Sequence, residues 1–114
     1  MSQQKYLFIY RNSASTPQDQ PSPQEMQAMM DAWNGWKNRF KANIVDVGDG
    51  LKATGKVLRD GVLSDGPFVE SKEILGGFSI VQAESYEQAI EVARACPFTR
   101  RPGYNIEIRE MKGY

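Results

Sequence analysis

The sequence predicts an α+β sandwich in which two helices cover one face of an antiparallel sheet. Two capping patterns predict the helix starts: Ser22–Pro23 with Glu25 three residues after the cap, and Ser85 with Gln88. Four apolar or alternating stretches predict the main strands, and a fifth region predicts a hairpin between the second and third of them. The order β-α-β, hairpin, β-α-β over one domain, residues 1–114, is typical of a ferredoxin-like sandwich.

The first half of this order begins with KYLFIY, residues 5–10, which is rich in β-formers and predicts a buried strand. A polar, proline-rich loop follows, and then a helix of about 18 residues with an apolar stripe that we expect to be core. The stripe on this helix consists of Met26, Met29, Met30, Trp33, Trp36 and Phe40. After the helix, NIVDV, Asn43 to Val47, predicts the second strand.

The second half begins with KVLRDGVLS, where Asp60–Gly61 predicts the tight turn of a hairpin. GGFSIVQA, Gly77 to about Ala83, predicts a central strand. The helix after Ser85 carries Ala89, Ile90, Val92 and Ala93 inward and ends before Pro97. YNIEIREM alternates, with Ile106 and Ile108 on one face, and predicts the last strand.

The first strand has no side suited to water. Tyr6, Phe8 and Tyr10 lie on one side and Leu7 and Ile9 on the other, although helices are expected on one face only. We therefore expect two such sheets to pack face to face in a homodimer.

Composition excludes several classes of function. Fourteen basic residues balance fourteen acidic ones, so the basic excess of a general nucleic-acid binder is missing. The chain has no histidine and one cysteine, Cys96, which excludes Ser-His and Cys-His nucleophiles and argues against a zinc or copper site. We expect no metal and no cofactor. A lone cysteine, no signal peptide and no stretch of about 20 apolar residues predict a cytoplasmic protein without a membrane partner.

The segment SDGPFVESKEILGGF, residues 64–78, concentrates charge, glycine and phenylalanine. Asp65 precedes a Gly-Pro bend, and Glu70 and Lys72 lie on one side if the chain is extended. A carboxylate beside a bend and near a lysine could act as a general base or hold a cationic ligand. The structural alternative is that Asp65 closes an Asx turn and that Glu70 and Lys72 are solvated.

Other candidates have ordinary explanations beside the functional ones. Trp33 and Trp36 could line an aromatic pocket, but such residues more often form core. Arg11 and the Arg100–Arg101 pair could bind an anion, although arginines at loop edges are usually solvated. Cys96 lies at a helix end, where the dipole disfavours a thiolate, and is interpreted as packing.

The motifs DGPF, E-x-K-E and LGGF (Asp65–Phe68, Glu70, Lys72–Glu73, Leu75–Phe78) resemble the signature of the YCII-related proteins of DGPF type. The resemblance extends over the whole chain, through KYLFIY, SPQEM, RDGVLSDGPF and ACP. It implies a ferredoxin-like subunit in a dimeric α+β barrel, in small bacterial cytoplasmic proteins of mostly undefined function. YciI-like relatives carry a histidine on the first helix and an aspartate before the proline after the second, together proposed as a catalytic pair. Here the first helix has no histidine and Cys96 precedes Pro97, so that chemistry is not carried over.

Two functions from different classes follow. The first is a homodimer that binds a small organic ligand, without catalysis, in a pocket near the DGPF segment. The alternative is an enzyme in which Asp65 is the general base for a small organic acid or aromatic substrate. Two further hypotheses carry less weight. One is a cofactor-independent monooxygenase, suggested by a faint likeness at Trp33, Asn34 and Trp36. The other is an interaction with a transcription factor. The predicted ligand-binding residues are Arg11, Trp33, Phe68, Glu70 and Lys72.

Overall fold

A four-stranded antiparallel sheet, a separate hairpin and two helices make up the part of the chain described by the computed structural model, residues 3–13, 21–52, 54–66, 73–100 and 102–113. The predicted order of elements is confirmed. In chain order they are β1 (Gln4–Ser13), α1 (Pro23–Arg39), β2 (Ile44–Gly50), β3 (Gly55–Arg59), β4 (Val62–Gly66), β5 (Glu73–Ala83), α2 (Tyr86–Arg94), a short 3₁₀ turn (Pro97–Arg100) and β6 (Tyr104–Glu110).

The main sheet has the strand order β2-β5-β1-β6, with every neighbouring pair antiparallel. With the hairpin set aside, this is the 2-3-1-4 order of a ferredoxin-like fold, so the predicted α+β class is confirmed. Trp33 of α1 packs edge-to-face on Tyr10, and Tyr86 of α2 packs on Tyr6. Because Tyr6 and Tyr10 alternate onto the same face of β1, both helices cover that face.

Burial differs between the two faces of β1. Tyr6, Phe8 and Tyr10 are at most 5% exposed and form the core under the helices. Leu7 and Ile9, on the opposite face, are only half-buried. The helix-covered face is therefore a complete core within one chain, whereas the other face stays partly open to solvent.

Both helices begin where their capping patterns predict. The Ser22 hydroxyl accepts from the backbone N–H of Glu25 at 3.1 Å, and Pro23 occupies the first turn. The Ser85 hydroxyl accepts from the N–H of Gln88 at 3.2 Å. These bonds satisfy backbone donors that lack partners inside the helix, which is why the two starts could be found from the sequence.

The prediction that the whole methionine stripe of α1 is core is wrong. Trp36 is 3% exposed and belongs to the core, but Met26, Met29 and Met30 are 41–58% exposed. At 3.6 residues per turn, Met26 and Met30 point about 80° and 120° away from Trp36, so they turn off the buried line. Met29 stays near that line and faces a cavity instead of close-packed atoms.

The predicted hairpin is confirmed as the separate two-stranded sheet β3–β4. Asp60 and Gly61 both have positive φ, 50° and 78°, which matches the twist of a two-residue hairpin turn. Leu58, Val62 and Leu63 beside the turn are at least 64% exposed. Within the described residues, no helix is long and apolar enough to cross a membrane.

Candidate functional site

A cavity of about 370 Å³ lies between α1 and the paired strands β2 and β5, and we call it the Trp33 cavity. Trp33, which is half-buried, forms its wall on the helix side. Its described lining residues come from β1, α1, β2, β5 and the 3₁₀ turn: Tyr10, Trp33, Lys37, Val47, Gly48, Asp49, Gly50, Gly76, Gly77, Phe78 and Phe98.

The floor of this cavity is the backbone of glycine residues, which carry no side chain into it. Gly48 has φ +72°, and a Cβ there would lie 1.9 Å from the carbonyl oxygen of Phe78, which no side chain can do. A Cβ on Gly77 would lie 2.9 Å from the carbonyl oxygen of Asp49. The β2–β5 pairing is also irregular on both sides of Asp46. Glycine is therefore required because the two backbones approach closely, and the approach leaves open space above them.

Aromatic rings form the opposite wall. Trp33 contacts Tyr10 edge-to-face, with ring centroids 5.9 Å apart, and Trp36 at 5.5 Å. Phe98 lies 4.7 Å from Tyr10 and 5.0 Å from Tyr104. The chain of rings holds Trp33 and Tyr10 in place, since each ring is fixed by its neighbours.

A buried chain of hydrogen bonds fixes the hydroxyl group of Tyr10. The Tyr10 hydroxyl donates to Ser79 Oγ at 2.7 Å, and Ser79 Oγ donates to the Val47 carbonyl at 2.6 Å. Cys96 Sγ donates to the Tyr10 hydroxyl at 3.8 Å. Burial raises the pKa of Tyr10 far above its ordinary value, and the adjacent Cys96 raises it further, so the phenol stays neutral. The chain therefore fixes the ring as a wall and ties β1, β5 and β2 together.

Two more cavities adjoin Trp33. One of about 400 Å³ lies along the outer side of α1, and one of about 270 Å³ lies between α1 and the 3₁₀ turn. The first shares Lys37 with the Trp33 cavity, and the second shares Phe98. Trp33 thus stands where the three open spaces meet.

Among the described residues that line the Trp33 cavity, one side chain is a cation, Lys37, and one is a carboxylate, Asp49. The ion pairs among the described residues do not include Lys37, which lies one helical turn after Trp33 and is exposed. Asp49 Oδ1 accepts from the backbone N–H of Gly50 at 2.8 Å, which fixes the carboxylate at the end of β2. A positive and a negative group therefore border the same largely apolar space.

The structure places the predicted site residues in different parts of the molecule. Trp33 is at the cavity. Arg11 lies on the open sheet face, where its Nε donates to Glu107 at 3.2 Å. Asp65 lies on the hairpin, with its side chain 88% exposed and paired with Lys56. Neither is among the described lining residues of the Trp33 cavity, and their site roles stay predictions.

The remaining predicted site residues are not described by the structure. Phe68, Glu70, Lys72 and the side chains of Arg100 and Arg101 lie outside what the structure describes. Among the described residues, no group of three or more His, Cys, Asp or Glu side chains could hold a metal ion.

Comparison with known proteins gives the family. Residues 6–112 match the family model of the YCII-related domain. The chain belongs to the YCII-related family.

The other comparisons add little to this assignment. Among solved structures, one similar to this YCII-related chain is 5-chloro-2-hydroxyhydroquinone dehydrochlorinase (TftG) from Burkholderia phenoliruptrix AC1100, in complex with 2,5-dihydroxybenzoquinone. It is 22% identical, covers 94% of this chain and 93% of its own, and has a TM-score of 0.43. The search of curated proteins finds no match.

The single cysteine of this YCII-related chain is part of the buried hydrogen-bond chain. Cys96 is 0% exposed and lies directly before Pro97, and its contact with Tyr10 places it behind the cavity wall. The interpretation of Cys96 as a packing residue agrees with this position, although no comparison tests it.

Several cavity residues were missed by sequence reasoning. Tyr10 was assigned to a strand face without a role, and Lys37 and Asp49 were not singled out. The only local signal was the pair of glycines at 48 and 50, which reads as a turn at a strand end. Their pairing with Gly77, which shapes the floor, depends on strand register and could not be read locally.

Proposed function

We propose that this YCII-related protein binds a small, flat organic molecule in the Trp33 cavity. The observation that carries the proposal is the pairing of an aromatic wall with a backbone floor across about 370 Å³. Rings on one side and side-chain-free backbone on the other leave a slot that suits a planar molecule. The volume lies within the range of ordinary small-molecule pockets, about 300–1,000 Å³.

The end of the DGPF-to-LGGF segment lines the Trp33 cavity. Gly76, Gly77 and Phe78 line it, so the segment that carries the family signature also contributes the floor. This supports the predicted location of the pocket near that segment. The contribution comes through glycine backbone instead of through Asp65.

Binding without catalysis is the form of the proposal that the described residues favour. The titratable side chains among the described lining residues of the Trp33 cavity are Tyr10, Lys37 and Asp49, and Tyr10 is held neutral by burial. An enzyme using Asp65 as general base stays a prediction, since Asp65 borders solvent and pairs with Lys56.

We further propose a homodimer through the open sheet face and a cytoplasmic location. Leu7 lies opposite Ile80 and Ile9 opposite Phe78 in the ladder, and all four are half-buried. A zero net charge leaves no general repulsion between copies. The single, buried cysteine suits a reducing compartment.

Sedimentation velocity of an Ile9→Lys variant tests the dimer. The matched control is Ile90→Lys on α2, since Ile90 is 36% exposed and the prediction that it points inward is wrong. We expect the wild type and the control to sediment as dimers and Ile9→Lys as a monomer. A wild type that is monomeric at micromolar concentration would contradict the dimer.

Nuclear magnetic resonance tests the ligand-binding proposal, because the chain has only two tryptophans and hence two indole N–H signals. On titration with benzamide, we expect the Trp33 signal to shift saturably. The Trp36 signal should move much less, because Trp36 is buried and its indole donates to the Val92 carbonyl at 2.9 Å. A Trp33→Phe variant assigns the two signals.

A filling variant locates the binding. Val47 lines the cavity and is 38% exposed, so Val47→Phe should fill part of the space without disturbing the core and should abolish the shift. Val45→Phe is the matched control, since Val45 is on the same strand, is 46% exposed and is not among the described lining residues. An unshifted Trp33 signal in the wild type, or equal loss in both variants, would refute the proposal.

A further inference from the structure

We infer that the ligand is a planar aromatic carboxylate bearing a hydrogen-bond donor, with Lys37 binding its carboxylate and Asp49 accepting from its donor. This inference rests on the proposed function, because it names the class of molecule that fills the Trp33 cavity. Its evidence is the arrangement of charge around that cavity.

The first step concerns the position of Lys37. Lys37 follows Trp33 by four residues and so lies on the same side of α1, next to the indole. It lines both the Trp33 cavity and the cavity along the outer side of the helix. No carboxylate lies within ion-pair distance of its ammonium among the described residues. An anionic group on a ring stacked against Trp33 would therefore meet a cation that pairs with no described carboxylate.

The second step concerns Asp49. Its Oδ1 is occupied by the Gly50 N–H at 2.8 Å, and this bond holds the carboxylate at the end of β2. The other oxygen has no hydrogen-bond partner among the described residues. A fixed carboxylate oxygen beside a cavity is an acceptor for a phenolic hydroxyl or a similar donor.

The third step concerns the two groups together. Lys37 and Asp49 border one cavity but are not within 4.0 Å of each other, so they do not neutralise one another by direct contact. A dianion would be repelled by Asp49, and an aromatic cation would be repelled by Lys37. A monoanionic ring with a donor away from its carboxylate complements both.

The described remainder of the lining adds no competing charge. Tyr10 is neutral, and the other described lining residues are apolar or glycine. Selection of a charged ring therefore depends on Lys37 and Asp49, which makes the inference testable by two side-chain changes.

The experiment compares benzoate with benzamide, which has the same shape and no charge, and with 4-hydroxybenzoate. Affinities come from the Trp33 indole shift in the chain of residues 1–114. In the wild type we expect benzoate to bind about tenfold or more tightly than benzamide, because a charge-assisted hydrogen bond adds to the ring contacts. 4-Hydroxybenzoate should bind more tightly than benzoate.

Two variants assign the contacts. Lys37→Met keeps most of the apolar stem and should lower benzoate affinity about tenfold more than it lowers benzamide affinity. Lys41→Met, an equal charge change at an exposed position that does not line the cavity, is the control and should alter neither. Asp49→Asn should remove the advantage of 4-hydroxybenzoate over benzoate, since its amide can keep the Gly50 contact and present N–H to the ligand.

The outcomes separate this inference from the proposed function. If benzamide binds as tightly as benzoate, or if Lys37→Met weakens both equally, the aromatic-carboxylate inference is overturned and ring binding stands. If 4-hydroxybenzoate has no advantage, the role of Asp49 is overturned. If none of the three compounds shifts the Trp33 signal, the proposed function itself has failed.

Discussion

The hydrogen-bond chain behind the Trp33 cavity predicts unequal costs for removing its two central hydroxyls. Ser79→Ala deletes the acceptor of the Tyr10 hydroxyl and the donor to the Val47 carbonyl, at a residue with 0% exposure. Each buried polar group left without a partner costs about 1–3 kcal/mol, so we expect a loss of about 2–4 kcal/mol. Tyr10→Phe removes the bond to Ser79 and the long, weak contact from Cys96 Sγ, but it leaves Ser79 still donating to Val47, so we expect a loss of about 1 kcal/mol.

Urea denaturation of the wild type, both single variants and the double variant measures these costs. Once Ser79 is alanine, the Tyr10 hydroxyl no longer has its bond to lose. The double variant should therefore be less destabilised than the sum of the single variants, by about 1 kcal/mol. Ser64→Ala on the exposed hairpin is the control, with an expected change within about 0.5 kcal/mol. Additivity within about 0.3 kcal/mol, or a larger cost for Tyr10→Phe than for Ser79→Ala, would refute the reasoning.

Three more predictions concern stability and the hairpin. Burial raises the pKa of Tyr10 above its unfolded value, so the stability that the neutral phenol contributes is complete below about pH 10. Above that pH the contribution is lost, by up to about 1.4 kcal/mol per pH unit. Urea midpoints from pH 8 to 11 should therefore fall less steeply in Tyr10→Phe than in the wild type, and equal slopes would contradict this prediction. Trp36→Phe should cost about 2–4 kcal/mol in the same assay, because it removes a buried bond to Val92 and part of a core ring; a cost under 1 kcal/mol would contradict the packing described. Asp65→Asn should change the free energy of unfolding by less than about 1 kcal/mol, because the side chains of Asp65 and Lys56 are both more than half exposed. The variant should also leave the benzamide-induced shift of the Trp33 signal unaltered. Loss of that shift would show that Asp65 belongs to the site.

The candidate site shows which parts of a site can be read from a sequence. Trp33 was identified because a tryptophan on an amphipathic helix is visible in the pattern. Lys37 and Asp49 look like ordinary surface charges until they are found at one cavity. Asp65 is prominent in its motif, yet among the described strands its own strand pairs with β3 alone, and its side chain faces solvent. The sequence therefore indicates which side chains could take part in a site, but the tertiary structure decides which of them lie close together.

The methionines of α1 make the same distinction within the core. Their three- and four-residue spacing correctly indicated a helix, because that spacing is a property of the chain. Whether a given face is covered depends on what packs against it, and Met26 and Met30 remain exposed. Periodicity alone could not separate the packed line through Trp36 from its neighbours.

By itself, the sequence of this YCII-related protein determined the family, the order of elements, both helix starts and the hairpin turn. These features depend on residues within a few positions of one another, through capping bonds, alternation and the positive φ at Asp60–Gly61. Tertiary structure alone decided that Gly48 and Gly77 approach opposite backbones and that Tyr10, Ser79 and Cys96 join in one chain. Those contacts span up to 86 positions and follow from strand register and helix placement, which no local pattern encodes.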